Sequence, residues 1–534
     1  MAVNSISEKQ VWRVMVGLLV FVHMTGLPVT IMEPDGALYA GIAKHMVQHH
    51  DYLNLVADGR DWLDKPHFPF WMAALSYLLF GFTSFAYKLP AFLFLMMGAV
   101  YTYRFAKALN VYNERVARWS VCIFLSAEHL VISSTDVRAE PYLTGLIIAS
   151  VYHLYKRQLL PGALFAACAV MTKGPFALVP IGFAIIGDHV FTGRWKQLFH
   201  WHWLVTALLI LVFISPELYA LYQQFDAHPE KVVFGQTGVS GIRFFFWDSQ
   251  FGRFMNSGPI KGHGDPSFFL HTVLWAFLPW SIFLYVAIVQ FFRRRGKSAV
   301  EYYCISAALS TFLLFSLSKF QLPHYLNIIF PFFAILTAKY IVDDVPERAF
   351  RITQHILMGI MGIAIVGLWA LYRPEIHLWA VILIMIGIAA FIWLPLQGTA
   401  RVFFRTCMAG VILNIFLNGL FYPDVLRYQS GSTAAFYANK ELKGAAVGFY
   451  GVNSYAMEYY LDAPLLRYDT VPAGPSIVFT SAEHRDSLVA GGRRIKELKT
   501  FSQFPVTRLD LKFVNFFSRE SSLDKRFLIL VDPF

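Results

Sequence analysis

About thirteen long apolar runs dominate the sequence and limit what the chain can fold into. The hydrocarbon core of a bilayer is about 30 Å thick, so a helix needs about 20 apolar residues to cross it. The runs therefore predict an all-α polytopic membrane protein with about thirteen transmembrane helices. They lie near residues 12–31, 86–107, 115–133, 141–157, 160–172, 174–191, 203–222, 269–292, 300–317, 323–342, 353–372, 377–395 and 403–422.

The composition excludes most soluble functions. Of the 534 residues, 57% are hydrophobic and 15% are charged, and the mean hydropathy is +0.50. In soluble domains about a quarter of the residues are charged. The composition therefore excludes a soluble enzyme, a disordered regulator and a nucleic-acid binder. The net charge of +11 fits a membrane protein, because the cytoplasmic loops of membrane proteins carry an excess of Lys and Arg. The four cysteines lie in apolar stretches without a metal-binding or redox spacing.

Basic residues between the runs orient the chain. A further run at 67–82 is ambiguous, because it is apolar enough to cross or to lie in the interface as an amphipathic helix. Only the interfacial placement puts every basic cluster on one side, which the positive-inside rule assigns to the cytoplasm. The N-terminus is then inside and the C-terminus outside. The clusters are Arg104 to Arg118, Lys156–Arg157, Arg194–Lys196, Arg293–Lys297, Arg348–Arg351 and Arg401–Arg405.

The charge density changes after residue 426. The last 108 residues hold 25 of the charged side chains, against 54 in the first 426. We therefore predict a transmembrane catalytic domain at 1–426, with a first outer loop at 32–85 and a long outer loop at 223–268. A small soluble α/β domain at 427–534 follows on the outer face. Its expected strands are 447–450, 476–480 and 527–531, and its expected helices are 454–461 and 482–490.

Acids, bases and histidines collect in the outer loops. Ionisable groups beside a bilayer are costly and usually have a function. Carboxylates there can act as a general base or hold a metal ion, and cations suit a phosphate. Together they indicate a reaction of a lipid-borne phosphate at the outer interface. The candidates are Asp35, Asp64, Lys65, Asp136, Arg138, Glu140, Lys173, Arg253, His263, Lys319, His324 and Tyr325.

Each candidate also has a structural explanation. Asp35 could cap the following helix, and Asp136, Arg138 and Glu140 could form a salt-bridge cluster between two spans. Lys173 could extend to the lipid head groups, and Arg253 could anchor the chain at the interface. The histidines could be solvated. The coincidence of all these residues on one face is what favours a site.

These strings resemble those of the GT-C glycosyltransferases, in particular the lipid A aminoarabinose transferase group and, more distantly, the protein O-mannosyltransferases. Departures occur at Gly36, Leu38, Ser249-Gln250 and Gln321, and they leave the sugar and the acceptor open. The similar strings are Asp35 with Tyr39-Ala40, Asp64-Lys65-Pro66, Glu140-Pro141, Thr172-Lys173-Gly174, Phe245-Phe246-Trp247 with Arg253-Phe254, His263, and Lys319 with Leu322-Pro323 and Tyr325.

The resemblance implies an inverting, single-displacement transfer of a sugar from a polyprenyl-phosphate carrier to lipid A, a protein or a glycan. It implies an enzyme of the bacterial inner membrane with its site on the periplasmic face and without a nucleotide cofactor. Asp35 is then the first candidate for the general base, with Asp136 or Glu140 as alternatives. A divalent metal ion would be held by Asp64 and His263. The implied substrate-binding residues are Tyr39, Lys65, Arg138, Lys173, Arg253, Lys319, His324 and Tyr325.

Two other functions remain open from the sequence. A transporter or lipid flippase would also be polytopic, but transporters place their charges near the bilayer midplane and often consist of two related halves. A polymerase or ligase of surface glycans would use diphosphate-linked donors instead. The position of Asp35, Lys65, Glu140 and Lys319 relative to one cavity distinguishes a transferase from a transporter.

Overall fold

The computed structural model describes residues 7–110, 113–257, 261–294, 298–471 and 474–532. The structure is mostly helical. The helices of the membrane domain are α1 (Glu8–Thr25), α2 (Asp35–His49), α3 (Phe68–Phe80), α4 (Ser84–Leu109), α5 (Glu114–Ser126), α6 (Glu128–Thr135), α7 (Glu140–Tyr155), α8 (Leu159–Lys173), α9 (Leu178–Phe191), α10 (Trp201–Phe213), α11 (Ser215–Leu221), α12 (Gly241–Arg243), α13 (Arg253–Met255), α14 (Phe268–Ala276), α15 (Ser281–Arg293), α16 (Ala299–Leu317), α17 (Phe330–Asp343), α18 (Glu347–Tyr372), α19 (Leu378–Ile392), α20 (Gly398–Phe416) and α21 (Tyr422–Val425).

Each apolar run of the sequence contains a helix or a pair of helices. By length and composition, five helical segments in the described part are long and apolar enough to cross a membrane, or seven if each bent pair counts as one span. The two bent pairs are α5 with α6 and α10 with the segment Ser215–Asp226. Several other apolar helices, such as α8 and α19, have 15 residues each. The polytopic all-α prediction is confirmed, and the number of thirteen spans stays a prediction.

The ambiguous run at 67–82 forms α3, which has 13 residues. At 1.5 Å per residue this helix is about 20 Å long, which is shorter than the bilayer core. It packs against α2 and α4, and it leaves Leu75, Leu78 and Leu79 exposed. This length is compatible with the predicted interfacial placement.

Several basic loops meet at one end of the helical bundle. Arg115 Nε lies 3.1 Å from Glu8 Oε1, which ties the start of α5 to the start of α1. Arg294 Nη1 lies 2.6 Å from Asp344 Oδ2 after α17. Asn113 Nδ2, just before α5, donates to Asp343 Oδ1 at the end of α17 at 3.4 Å. The two ion pairs therefore lie at the same end of the bundle, as the charge pattern predicts.

The C-terminal segment forms a mixed five-stranded sheet with helices. The strand order is β4 (Leu465–Tyr468), β3 (Val447–Tyr450), β5 (Ser476–Ser481), β7 (Asp524–Asp532) and β6 (Arg494–Gln503). In this sheet β3 is parallel to β4 and β5, and β7 is antiparallel to β5 and β6. A separate two-stranded hairpin, β1 (Val56–Ala57) with β2 (Arg60–Asp61), lies in the first outer loop. The predicted strands and helices of this segment are present. The elements are β1 (Val56–Ala57), β2 (Arg60–Asp61), α22 (Ser430–Tyr437), β3 (Val447–Tyr450), α23 (Tyr455–Tyr460), β4 (Leu465–Tyr468), β5 (Ser476–Ser481), α24 (Ala482–Ala490), β6 (Arg494–Gln503), α25 (Leu511–Val514) and β7 (Asp524–Asp532).

The C-terminal segment contacts the first outer loop directly. Tyr460 Oη accepts a hydrogen bond from the backbone N–H of Ile31 at 2.8 Å. Lys44 Nζ donates to the carbonyl oxygen of Tyr459 at 2.6 Å. These bonds place the sheet at the same end of the bundle as α2, which begins at the candidate residue Asp35.

Glu33 joins the same two parts of the chain and provides a pH-dependent contact. Its Oε1 accepts from Ser454 Oγ at 2.7 Å and from the backbone N–H of Ala456 at 2.5 Å. Burial raises the pKa of Glu33 above its ordinary value, and the two hydrogen bonds only partly offset this shift.

We expect replacement of Glu33 by glutamine to remove part of the pH dependence of stability. Because the folded pKa is raised, the contribution of Glu33 is present below its unfolded pKa and is lost as the pH rises through the folded pKa. Glutamine keeps the acceptor oxygen but does not ionise. Thermal unfolding between pH 4 and 8 should show the wild type losing stability relative to Glu33→Gln as the pH rises. Parallel curves would contradict this expectation.

Candidate active site

Arg138 holds two carboxylates at the start of α2 and after α6. Its Nη1 lies 2.7 Å from Asp35 Oδ2, and its Nη2 lies 3.2 Å from Asp136 Oδ2. Burial alone would lower the pKa of Arg138, but Asp136 and Asp35 outweigh it and raise the pKa. The guanidinium therefore stays charged and fixes both acids, which come from segments about a hundred residues apart.

A second cluster lies at the N-terminus of α7. The Glu140 carboxylate forms an ion pair with Lys173 at the end of α8, and His324 Nε2 lies 3.8 Å from the same carboxylate. Lys173 Nζ also lies 3.6 Å from the centre of the Tyr325 ring, which is cation–π geometry. Four predicted residues from three separate outer turns thus meet in one place.

Lys65 connects the two clusters electrostatically. Burial lowers the pKa of Lys65, and its interactions with Tyr325, Asp35 and Glu140 partly offset this shift. Lys65 Nζ also forms an ion pair of 2.6 Å with its neighbour Asp64. The outer loops therefore bring acids and bases together, as the sequence predicts.

A large cavity with aromatic walls opens beside these clusters. It measures about 960 Å³, counting the space open to solvent. The charged groups Lys65 and Lys173 lie on its wall together with Tyr325, and the apolar part includes Phe244, Phe245, Phe254, Phe315 and Phe320. We call it the aromatic cavity. It combines a long apolar surface with a cationic region.

A smaller cavity of about 310 Å³ lies on the other side of Lys65. Tyr39, Lys65 and Arg138 line it, and the Tyr39 ring packs edge-on against Trp62 with 5.9 Å between the centroids. Lys65 therefore contributes to both cavities. This position places the lysine between the aromatic cavity and the Arg138 carboxylates.

The turn Thr172-Lys173-Gly174 has its shape because of Gly174 and Gln250. Gly174 has φ +94° and ψ −178°, a region that only glycine adopts readily. A Cβ at this position would lie 2.2 Å from Gln250 Nε2. Gln250 donates to the Lys173 carbonyl oxygen at 3.2 Å. The glutamine, a departure from the related pattern, thus supports the turn that presents Lys173.

We expect Gly174→Ala to destabilise the protein by about 1–3 kcal/mol through backbone strain together with the overlap with Gln250, and to reduce activity by displacing Lys173. Gly193→Ala is the matched control, since Gly193 also has positive φ (+72°) but a Cβ there meets nothing within 4 Å. Thermal unfolding and a transfer assay on both variants measure the difference. Equal effects would show that the Gln250 contact is unimportant.

One buried pair beside the cavity was not predicted. Glu217, which lines the aromatic cavity, accepts a hydrogen bond from the backbone N–H of His67 at 2.9 Å, and its other oxygen lies 3.0 Å from His67 Nδ1. Both side chains are fully buried. An acid inside the apolar run at 203–222 was the available signal, because such residues are rare in membrane segments.

Several candidates are not brought into the two clusters. Lys319 is exposed and its side chain makes no ion pair with a described residue, although its neighbours Ser318 and Phe320 line the aromatic cavity. His263 is exposed in the loop before α14. The side chain of Arg253 lies outside the described residues.

The described residues do not form a metal site of the expected kind. They contain no group of three or more His, Cys, Asp or Glu side chains that could hold an ion. Asp64 is ion-paired with Lys65. The metal site at Asp64 and His263 stays a prediction, and no step of the chemistry below uses it.

Comparisons with known proteins agree with this architecture. Residues 64–219 match the family described as dolichyl-phosphate-mannose-protein mannosyltransferase. The undecaprenyl phosphate-alpha-4-amino-4-deoxy-L-arabinose arabinosyl transferase of Edwardsiella ictaluri (strain 93-146) is 26% identical over 370 residues, which are 66% of this chain and 64% of the relative. The arabinosyl transferase 2 of the same kind from Proteus mirabilis (strain HI4320) is 24% identical over 412 residues, which are 72% of this chain and 71% of the relative. The chain thus spans just under two thirds of the first relative's length.

Solved structures show the fold. ArnT from Cupriavidus metallidurans bound to undecaprenyl phosphate superposes with a TM-score of 0.75 at 16% identity, and 97% of each chain is covered. Its apo state gives a TM-score of 0.74 at 18% identity, with 98% of each chain covered. The protein therefore has the same polytopic fold as ArnT. In sequence it resembles the aminoarabinose transferases.

Proposed function

We propose that the protein is a membrane glycosyltransferase that moves a sugar from a polyprenyl-phosphate carrier to an acceptor outside the cytoplasm, by inverting single displacement. The observation that carries this proposal is the aromatic cavity with two lysines on its wall, next to two carboxylates held by Arg138. The similarity to aminoarabinose transferases supports an acceptor of the lipid A type.

The aromatic cavity suits a polyprenyl phosphate. The apolar wall would cover the isoprenoid chain, because burial of apolar surface is the main favourable term in such binding. Lys65 and Lys173 lie where the chain would end in its phosphate. Both ammonium groups would stabilise the negative charge that develops on the leaving phosphate.

The geometry favours Asp35 as the general base over its two alternatives. The side chain of Asp35 is 36% exposed, against 19% for Asp136 and 3% for Glu140. Arg138 contacts only one oxygen of Asp35, Oδ2. The other oxygen of Asp35 is therefore free to face an acceptor. Glu140 is instead committed to Lys173 and positions that lysine.

The proposed step is a single displacement at the anomeric carbon. The acceptor hydroxyl oxygen attacks this carbon, and the bond between the carbon and the phosphate oxygen breaks. The bonding electrons leave with the carrier phosphate, which Lys65 and Lys173 stabilise. The hydroxyl proton passes to Asp35, and Arg138 keeps the carboxylate oriented.

The proposal includes the sidedness of the site. The clusters lie at the end of the bundle that contacts the C-terminal sheet, and the basic loops meet elsewhere, around Glu8 and Asp344. The positive-inside rule then assigns the site to the periplasmic face of the inner membrane. A transporter would place its charges near the midplane, which does not explain a cluster at the end that carries the C-terminal domain. A protease should digest the C-terminal domain in spheroplasts but not in intact inside-out vesicles.

The reaction is tested with the full chain in proteoliposomes that contain undecaprenyl-phosphate aminoarabinose and lipid A. Mass spectrometry should detect the glycosylated acceptor and the freed undecaprenyl phosphate. A Lys65→Met variant should lose activity by about 10²–10³-fold, as for loss of one transition-state donor. Transfer from a soluble nucleotide sugar, or wild-type activity in Lys65→Met, would overturn the proposed donor or the role of the lysine.

A further inference from the structure

A second, more polar cavity lies outside the proposed donor site. It measures about 1180 Å³, counting the space open to solvent. We call it the outer groove. Three parts of the chain line it: the hairpin β1–β2 with Trp62 and Leu63, the long outer loop at Val233 and Phe234, and the C-terminal domain between Phe449 and Asp469.

Ion pairs fix the walls of the outer groove relative to one another. Arg467 Nη2 in β4 lies 2.9 Å from Asp58 Oδ1 in the hairpin and 2.9 Å from Glu458 Oε2 in α23. Lys231 Nζ in the long outer loop lies 3.0 Å from Asp61 Oδ1. The hairpin is therefore tied to both of the other walls, so the groove is built from connected segments.

The surface of the outer groove combines aromatic rings with polar groups of both charges. Trp62, Tyr455 and Tyr468 provide rings with a polar atom each. Arg60 and Asp469 are exposed, and their side chains make no ion pair or hydrogen bond with any described residue. Rings that cover C–H faces, together with free donors and acceptors for hydroxyl groups, suit a carbohydrate.

The outer groove and the aromatic cavity share one wall. Leu63 lines both of them. The preceding residue Trp62 lines the groove, and the following residues Asp64 and Lys65 line the aromatic cavity. A molecule in the groove would therefore lie close to Lys65, the lysine that is proposed to bind the donor phosphate.

We propose that the outer groove binds the carbohydrate head group of the acceptor and leads it to the donor sugar. This inference deepens the proposed function and depends on it for the direction of transfer. The C-terminal domain then takes part in acceptor recognition, because it supplies one of the three walls. A solvent-filled seam between two domains is the competing explanation.

Kinetics with two groove variants test the proposal. Arg60→Glu removes a free cation, and Asn453→Trp fills the exposed rim of the groove. Both should raise the KM for the lipid A acceptor at least about tenfold, Arg60→Glu through loss of a charged hydrogen bond and Asn453→Trp through steric exclusion. The KM for the polyprenyl-phosphate donor and kcat should stay within about twofold. Arg494→Glu is the matched control, since Arg494 lies on β6, at the opposite edge of the sheet from β4, and it should leave all constants unchanged.

A binding measurement separates this inference from the proposed function. The probe is the deacylated head group of lipid A, titrated calorimetrically into the full protein in nanodiscs without a donor. Binding by the wild type that weakens in Arg60→Glu, but not in Arg494→Glu, supports the groove even if no donor is used. No binding, or equal binding by all three proteins, overturns the inference. Absence of transfer from any polyprenyl-phosphate donor would overturn only the proposed function.

Discussion

Asparagine in place of Asp35 should slow sugar transfer by about 10²–10⁴-fold, the usual contribution of a general base. Asparagine is nearly isosteric and keeps an oxygen that can accept from Arg138, which lies 2.7 Å from the native carboxylate. The variant should therefore fold normally and bind the donor normally. The transfer assay in proteoliposomes measures the rate, and thermal unfolding checks the fold.

The control for Asp35→Asn is Asp486→Asn. Asp486 is an exposed acid of α24 whose side chain is 65% accessible, and it lies outside the proposed site. The Asp486→Asn variant should transfer sugar at the wild-type rate. Full activity in Asp35→Asn would exclude Asp35 as the base, and the same substitution at Asp136 would then be the next test.

Lys173→Met should both destabilise the protein and slow transfer. The side chain of Glu140 is only 3% exposed and pairs with Lys173. Removing one partner of a buried ion pair leaves an uncompensated charge and costs about 3–5 kcal/mol. The loss of a cation beside the proposed phosphate adds a rate decrease of about 10²–10³-fold. Chemical or thermal unfolding and the transfer assay report the two effects separately.

The double variant Glu140→Gln with Lys173→Met separates stability from catalysis. Without either charge, most of the lost stability should return, because no unpaired buried charge remains. Transfer should stay as low as in Lys173→Met. Recovery of activity together with stability would show that Lys173 acts only through the fold.

The sequence predicted the membrane fold well because its signal is long and strong. Each apolar run contains helix, and in the C-terminal domain β3 and α24 have the predicted bounds. Two strands of the same domain, β4 and β6, were not predicted. Both lie at the edges of the sheet, where strands have one neighbour and tolerate charged side chains. The alternation of apolar and polar residues is therefore weak in them.

The candidate site was predictable where charges stand in loops, and not where they lie inside apolar runs. Asp35, Arg138, Glu140 and Lys173 were identified because ionisable groups beside a bilayer are costly. Glu217 was not predicted because the apolar run that contains it, at 203–222, has the pattern of a single transmembrane span. The ion pair between Arg138 and Asp136 was one of the structural explanations considered from the sequence. The ion pair between Arg138 and Asp35 could not be predicted, because it forms through folding of distant segments.

The bonds from Ser454 and Ala456 to Glu33 end two residues before the proposed base. A chimera that carries the C-terminal domain of a relative would therefore change the support of the reacting carboxylate, even though the grafted part is remote in sequence. Such grafts should work only when residue 33 is exchanged together with the domain that contacts it. Residue 33 of the first outer loop and the C-terminal domain would then have to change together during evolution.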